Sequence, residues 1–522
     1  MHMNKSDNEK KVISDTSAAA AMESLKESLP FAAADPTRPA YHMTPPACWM
    51  NDPNGGIYHH GWYHIFYLHD PFSSDGESSA AVGEGRIIEG SRRPVRYWGH
   101  ARSEDLVHWE HMPVAIGPVW ERGELKPISG SIALNPGGRP MIFYSSVGLD
   151  SAAFTQCAAI SDPDLVRWSR IANNPVLSFG SYHGPVFNKE WRDPFVFSEN
   201  GRYFMIIGAE LDGASVLPIF EAVNDGLDQW EYRGILFSQP KEKVKYFECP
   251  KFFKLQGRWV LITSPYGPVQ YFIGRFDPEK YAFTFDSRGF IDYSPQHYAT
   301  ENIMGPEGSA WIMGWLPGWN KALNNGKYWN GCFSLPRLLS LDGRGNLLQK
   351  PAPQLKGLRE NHAEIKNVFL NKNSYKFEEI NEECMEIYIR MKPGADSVSM
   401  LKLFSRKKPA AGFDIRIFQD RLEADGIEVS AGETTEQSGM CFNIFIDRCI
   451  IEVFINDGRG CVSGKIHEYE GGAWGAELKN TKGSLLIEAM DVWKLKPAYP
   501  GPLTEKSNSH HHYDDEEEGP IY

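Results

Sequence analysis

The sequence lacks any pair of cysteines at CxxC spacing. Its eight cysteines, at 48, 157, 249, 332, 384, 441, 449 and 461, are scattered along 522 residues. That argues against a zinc site or a disulfide framework and leaves mostly buried free thiols as the expectation. Long apolar runs are missing too: none approaches the ~20 residues that a membrane-spanning helix needs. Positive charge is short, with a formal net charge of −13, so a nucleic acid held through phosphate contacts is not an expected partner. The first thirty residues hold no uninterrupted apolar segment, and the short alanine run lies between Asp15 and Glu23. No secretory signal is read there, so a cytoplasmic location is expected, or a secreted one if a leader has been removed. The tail "SNSHHHYDDEEEGPIY" sets three histidines beside five acids and reads as a solvated, disordered tail rather than a metal site. Histidines 42, 64, 69 and 100 are not spaced as metal ligands and read as hydrogen-bonding or structural; neither metal nor cofactor is expected.

What is present is a large apolar and aromatic content, 42% and 13% of the chain, enough for two or more domains. One pattern recurs: a glycine followed by a strand of aromatic and aliphatic residues. It appears as "GWYHIFYLH" at Gly61, "GRPMIFYSS" at Gly138, "GRYFMIIGA" at Gly201, "GRWVLITSP" at Gly257 and "GSAWIMGWL" at Gly308. A second pattern, ending at Trp109, Trp168 and Trp230, is interleaved with the first at a matching period. Five copies of short strands at this spacing predict an all-β fold with a five-bladed β-propeller. Beyond Pro351 the repeat gives way to alternating strands joined by Gly, Asp and Asn turns, which predict a C-terminal β-sandwich. The resulting division is a flexible extension over 1–38, a propeller over 39–350, a sandwich over 358–497 and the tail over 498–522.

Counted back from the repeat glycines, Asp52, Asp193 and Glu248 fall at nearly the same place, while the second and fifth copies hold Ser129 and Ala299-Thr300. Equivalent positions of successive blades lie at similar depth about the propeller axis, so the three acids are predicted to converge on the central funnel. Each also has a plain reading: Asp52 and Asp193 precede proline and can cap a turn, and Glu248 can be an ion-pair partner. Clustered carboxylates among aromatic walls suit glycoside hydrolysis, where one carboxylate attacks or stabilises the anomeric carbon and another protonates the leaving oxygen.

The segments "WMNDPNG" (49–55), "WGHARSEDLVHW" (98–109), "SGS" (129–131), "WRDPFVF" (191–197), "FECP" (247–250), "SLPR" (334–337) and "FIDRCIIEVFINDG" (446–458) together resemble glycoside hydrolase family 32, the invertases, inulinases, levanases and related fructosyltransferases. The resemblance covers roughly residues 40 to 495. It implies cleavage of a β-fructofuranosyl bond with retention, Asp52 as nucleophile, Glu248 as acid/base and Asp193 with Arg192 as transition-state stabiliser. Trp49, Asn51, Leu68, Trp98, Ser129 and Trp319 would fall at the fructose pocket, and the partner would be a fructose-containing sugar; a homodimer is compatible. Three departures bear on specificity. Leu68 stands where the family usually has a glutamine, Ile128 where a phenylalanine is usual, and residues 72–97 form a longer connection than usual. The same intermediate can pass to water or to a sugar hydroxyl, so fructosyltransfer is an alternative. An inverting arabinanase-type enzyme and a non-catalytic sugar-binding protein are further alternatives.

Overall fold

The five repeat glycines all sit in tight connections that need a left-handed backbone: φ is +88° at Gly61, +77° at Gly138, +75° at Gly201, +80° at Gly257 and +74° at Gly308. Only glycine adopts that conformation without a steric penalty. In four of the five the preceding residue (His60, Asn200, Gln256, Glu307) also has positive φ, the backbone of turns that match strand twist. The computed structural model describes residues 12–13, 17–76, 79–80, 95–119, 124–148, 154–187, 191–240, 243–316, 328–419, 421–430 and 439–498. Trp319, most of the 72–97 connection and nearly all of the 498–522 tail lie outside the described residues.

Each Gly-aromatic segment is the second strand of an antiparallel sheet, and five such sheets make the propeller. The innermost strands are Cys48–His59, Glu124–Leu134, Trp191–Glu199, Glu248–Leu255 and Tyr298–Met304. Trp109, Trp168 and Trp230 open the outermost strands of blades 1 to 3. Their indole N–H groups donate to the carbonyls of Leu106, Leu165 and Leu227 at 2.9, 3.1 and 3.0 Å. Those three leucines have φ of +69°, +60° and +52°, a costly conformation for a branched side chain that the indole bond and leucine burial offset. Both faces of a blade are covered by its neighbours, so its strands are apolar on both sides. Between blades 3 and 4, Phe197, Phe204, Phe252, Trp259 and Phe276 form one aromatic cluster, with Phe252 stacked on Trp259 at 4.5 Å. Blade 5 closes on blade 1 through Trp329–Asn330, which pairs parallel with Cys48 and Trp49.

The sandwich is two six-stranded sheets, one running from the edge strand Arg359–Leu370 to Gly460–Lys465, the other from Ser374–Phe377 to Ile427–Ser430. A buried polar network ties it to the propeller. Arg337 of blade 5 donates through Nη2 to Asp292 and to Glu452 of the sandwich, each at 2.8 Å. His42 bridges Asp447 (2.8 Å) and Glu452 (3.0 Å), and Asp447 also accepts the backbone N–H groups of Ala40, Tyr41 and His42.

The N-terminal region departs from expectation. Instead of a flexible stretch throughout 1–38, Ala18–Ala33 forms a helix capped by Ser17, whose Oγ accepts from the Ala20 N–H at 3.1 Å. The alanine run favours helix, and Leu25 and Ala32 bury against the same cluster as Trp329 and the sandwich core. The eight cysteines are free, and all but the half-buried Cys441 are buried.

Candidate active site

All five innermost strands carry a register irregularity near their start, where two residues replace one: Asn51-Asp52, Ile128-Ser129, Asp193-Pro194, Cys249-Pro250 and Ala299-Thr300. A bulge breaks the alternation of side chains and re-aims them; here five bulges aim side chains at the axis. Asp193, Cys249 and Ala299 have positive φ, +66°, +47° and +50°, a strain placed where the site is built.

The bulges correct the prediction that the three acids occupy one position of the repeat. Glu248 directly precedes its bulge, Asp193 is the first bulge residue, and Asp52 is the second. Blade 1 contains a second irregularity between Asn54 and Ile57, which disturbs any count from Gly61. The acids converge nonetheless, because the bulge turns three consecutive positions toward the same funnel. Cys249 makes the convergence measurable: its Sγ lies 3.8 Å from Asp52 Oδ2 and 3.8 Å from Asp193 Oδ2, and its N–H donates to Asp193 Oδ2 at 3.0 Å.

The three carboxylates have different surroundings. Asp52 Oδ2 accepts from Ser129 Oγ at 2.9 Å, while its Oδ1 is buried with no hydrogen-bond partner. Burial, then the charges of Glu248 and Asp193, push the Asp52 carboxyl up to about 7. Asp193 is also raised, chiefly by burial, against the pull of Arg192. Glu248 is held at both oxygens: Oε1 accepts from Arg192 Nη2 (2.7 Å) and Tyr266 OH (2.9 Å), and Oε2 lies 2.6 Å from Tyr298 OH. Arg192 is fixed over the Tyr246 ring at 4.5 Å, and the surrounding anions hold its guanidinium firmly protonated despite burial. Below the carboxylates, Lys251 and Glu301 form a buried ion pair at 2.6 Å.

Of the residues read from sequence, Asp52, Asp193, Glu248, Ser129 and Arg192 are brought together. Asn51 is buried beside Asp52 with its Oδ1 unpartnered. Trp49 forms an aromatic wall, with Arg96 over one ring at 4.3 Å and Trp315 edge-on at 6.4 Å. Two readings are corrected. Trp98 is 0% exposed and its indole N–H is already donated to the Ile128 carbonyl at 3.1 Å. Leu68 pairs with Trp98 across the strand and joins the same buried cluster between blades 1 and 2. Both side chains pack in the cluster between blades 1 and 2, where an apolar side chain at 68 is drawn into the inter-blade core. Cys249, Tyr266, Tyr298, Lys251 and Glu301 were missed as site residues. Tyr298 had a signal: it precedes its bulge as Glu248 does, one residue before the Ala299-Thr300 pair singled out in the repeat. Among the described residues no group of three or more His, Cys, Asp or Glu is placed to hold a metal ion.

Two family models match the chain. "Glycosyl hydrolases family 32 N-terminal domain" covers residues 42–351 and "Glycosyl hydrolases family 32 C terminal" covers 354–494. The chain is 27% identical to the sucrose-6-phosphate hydrolase of Escherichia coli over 458 residues, 82% of this chain and 89% of that protein. It is 27% identical to the levanase of Bacillus subtilis over 525 residues, 88% of this chain and 71% of that protein. Among solved structures, a β-fructofuranosidase of Bombyx mori superposes with a TM-score of 0.73 at 24% identity, covering 93% of this chain and 99% of that one. Fructan 1-exohydrolase IIa of Cichorium intybus gives a TM-score of 0.74 at 22% identity, covering 88% and 98%.

Proposed function

Because the chain belongs to glycoside hydrolase family 32, we propose that the clustered acids carry out retaining hydrolysis of β-fructofuranosides, with Asp52 as nucleophile. The observation that carries the assignment is the asymmetry of the Asp52 carboxylate. One oxygen is fixed by Ser129 and Cys249, and the other is buried and unpaired. A carboxylate held in this way presents one fixed lone pair, as attack on an anomeric carbon requires. Oδ1 attacks C2 of the fructosyl unit as the C2–O bond to the leaving group breaks. Glu248, in its protonated form, gives its proton to that oxygen and then takes one from the incoming water, which frees fructose with retained configuration. The Tyr298 hydroxyl lies 2.6 Å from Glu248 Oε2 and 2.9 Å from the Ser264 carbonyl. It can donate to the carboxylate when Glu248 is charged, and accept from the carboxylic acid while donating to Ser264 when it is not. Asp193, anchored by the Cys249 N–H, accepts from fructose hydroxyls and adds negative charge beside the oxocarbenium-like transition state.

Relatives named sucrose-6-phosphate hydrolase, levanase and raffinose invertase, and solved structures described in complex with sucrose and with 1-kestose, support a small sugar or oligosaccharide ending in fructose as substrate. The test is product analysis on sucrose, sucrose 6-phosphate, inulin and levan, with NMR of the first-formed product. Release of β-fructofuranose before mutarotation supports retention, and α-fructofuranose would overturn it. Lengthened or cyclic sugars in place of free fructose would replace hydrolysis by transfer. Azide should restore turnover to Glu248→Ala as a β-fructosyl azide, whereas any azide product of Asp52→Ala should have the opposite, α configuration.

A further inference from the structure

Three carboxylates in one poorly hydrated funnel disfavour each other's ionisation, yet displacement at C2 has to begin from a charged Asp52. The nearby guanidinium does not resolve this. Arg192 is committed to Glu248 and to Tyr266 OH, at 2.7 and 2.8 Å, on the acid/base side of the site. Among the described residues Lys251, only 2% exposed, is a cation that acts on both aspartates.

Lys251 follows Glu248 by three residues on the innermost strand of blade 4, just past the Cys249-Pro250 bulge. This short run serves the site three ways: Glu248 with the acids, the Cys249 amide and thiol on Asp193 and Asp52, and Lys251 in a buried ion pair. Its ammonium has two neighbours, one of them anchored in turn. Glu301 Oε2 of blade 5 lies 2.6 Å away, the Phe195 ring of blade 3 is 5.5 Å from Nζ, and Glu301 is itself held by the Gly56 N–H of blade 1 at 3.1 Å. Gly56 admits no side chain, since a Cβ there would lie 2.4 Å from the Asn302 carbonyl oxygen. Four blades therefore meet at this pair, and Gly56 belongs to the nucleophile's own strand, Cys48–His59.

We propose that Lys251 is a positioning residue for the nucleophile: held by Glu301 and two residues past Cys249, its ammonium favours the charged forms of Asp52 and Asp193 in the free enzyme. This rests on the reading of Asp52 as nucleophile. A lysine buried alone would lose its proton, but Glu301 keeps this one charged, its affinity for the proton raised in spite of burial. Burial raises both aspartates and Glu248 adds to it; Ser129 lowers Asp52, Arg192 lowers Asp193, and Lys251 lowers both. The groups facing Asp52 are Glu248, Asp193, the Cys249 thiol, Ser129 and Lys251; Arg192 additionally faces Asp193, while Tyr266 and Tyr298 face Glu248. The thiol is no rival anion, because burial and the two aspartates push it far above its usual range.

The experiment is the pH profile of kcat/KM on the best natural substrate, with kcat and KM resolved and thermal melts alongside. Lys251→Met alone leaves Glu301 buried and unpaired, so the informative variants are Lys251→Met/Glu301→Gln, Glu301→Gln and Lys251→Arg. The double variant loses the ammonium together with its counter-charge, so it should move the acid limb up by less than the roughly one pH unit expected for losing one nearby opposite charge, and regain activity within a few-fold on the alkaline side. Glu301→Gln should move the limb the same way, since Lys251 buried without Glu301 gives up its proton, and Lys251→Arg should leave it in place. Acid limbs at the wild-type position in both the double variant and Glu301→Gln would overturn the proposal and reduce the pair to a brace between blades. Failure of the underlying reading would look different: wild-type turnover that survives Asp52→Asn.

Discussion

At the scale of single residues, the site is governed by how each carboxylate is solvated. Asp52 is raised from 3.8 to about 7 by burial and by two neighbouring acids. The folded state therefore binds this proton more tightly than the unfolded chain, and the contribution is stabilising below about pH 4 and lost as pH rises through about 7. Asp52→Asn should abolish turnover and should also melt above wild type at pH 8, by a few degrees. That gap should shrink toward pH 5, where wild type is itself protonated; a gap independent of pH would refute the argument. On the same grounds wild-type kcat/KM should fall as pH drops below about 7. Tyr298→Phe removes one hydroxyl bond to Glu248 and should lower kcat by roughly tenfold, the worth of a hydrogen bond to a charged group, with the melting temperature nearly unchanged. An unaltered kcat would exclude the hydroxyl from proton handling.

At the scale of elements, hairpins and bulges do separate jobs. The hairpin glycines set blade geometry at the rim: a Cβ on Gly201 would meet nothing within 4 Å, so Gly201→Ala costs only its left-handed backbone, about 1 kcal/mol, with kcat intact. Gly208, on the second strand of the same blade, differs. A Cβ there would lie 1.9 Å from the Phe247 carbonyl oxygen, and Phe247 immediately precedes Glu248. Gly208→Ala must displace that strand and should cut kcat by more than tenfold, a contrast that parallel melts and single-turnover assays of the two variants would check. The repeat glycines, the tryptophan pattern and the blade count were legible because each is a local backbone requirement. The bulges were not, since an extra residue in one strand is defined only against its pairing partner. That is why Asp52, Asp193 and Glu248 could be assigned to one funnel from sequence but not to their three different positions across the bulge.

At the scale of the molecule, propeller and sandwich are joined by a buried charge network. His42, between Asp447 and Glu452, is pushed up to about 9 by those two partners against the cost of burial. Its stabilising contribution is fully present below about 6.5 and lost as pH rises through about 9, while that of Glu452, lowered to about 2, is lost only as pH falls toward 2. Calorimetry should show the melting temperature falling between pH 7 and 10, and the fall should be shallower in His42→Gln. Arg337→Met leaves Asp292 and Glu452 without their guanidinium and should destabilise by about 3–5 kcal/mol. Two separate transitions in that variant would show that the network makes the halves melt together, whereas a single, barely shifted one would show that apolar contacts suffice.

The amino-acid order by itself determined the five-blade repeat, the change to a sandwich after Pro351, the family and the three acids, because glycine turns, alternation and short motifs are requirements that neighbouring residues satisfy among themselves. Tertiary structure alone decided which side chains reach the funnel. Leu68 and Trp98 lie in motifs that suggested substrate contact and pack between blades, whereas Lys251 and Glu301 carried no local mark and pair across blades 4 and 5. Convergence of that kind is set by bulges and blade closure, which bring together residues from Asn51 to Glu301 that no local pattern relates.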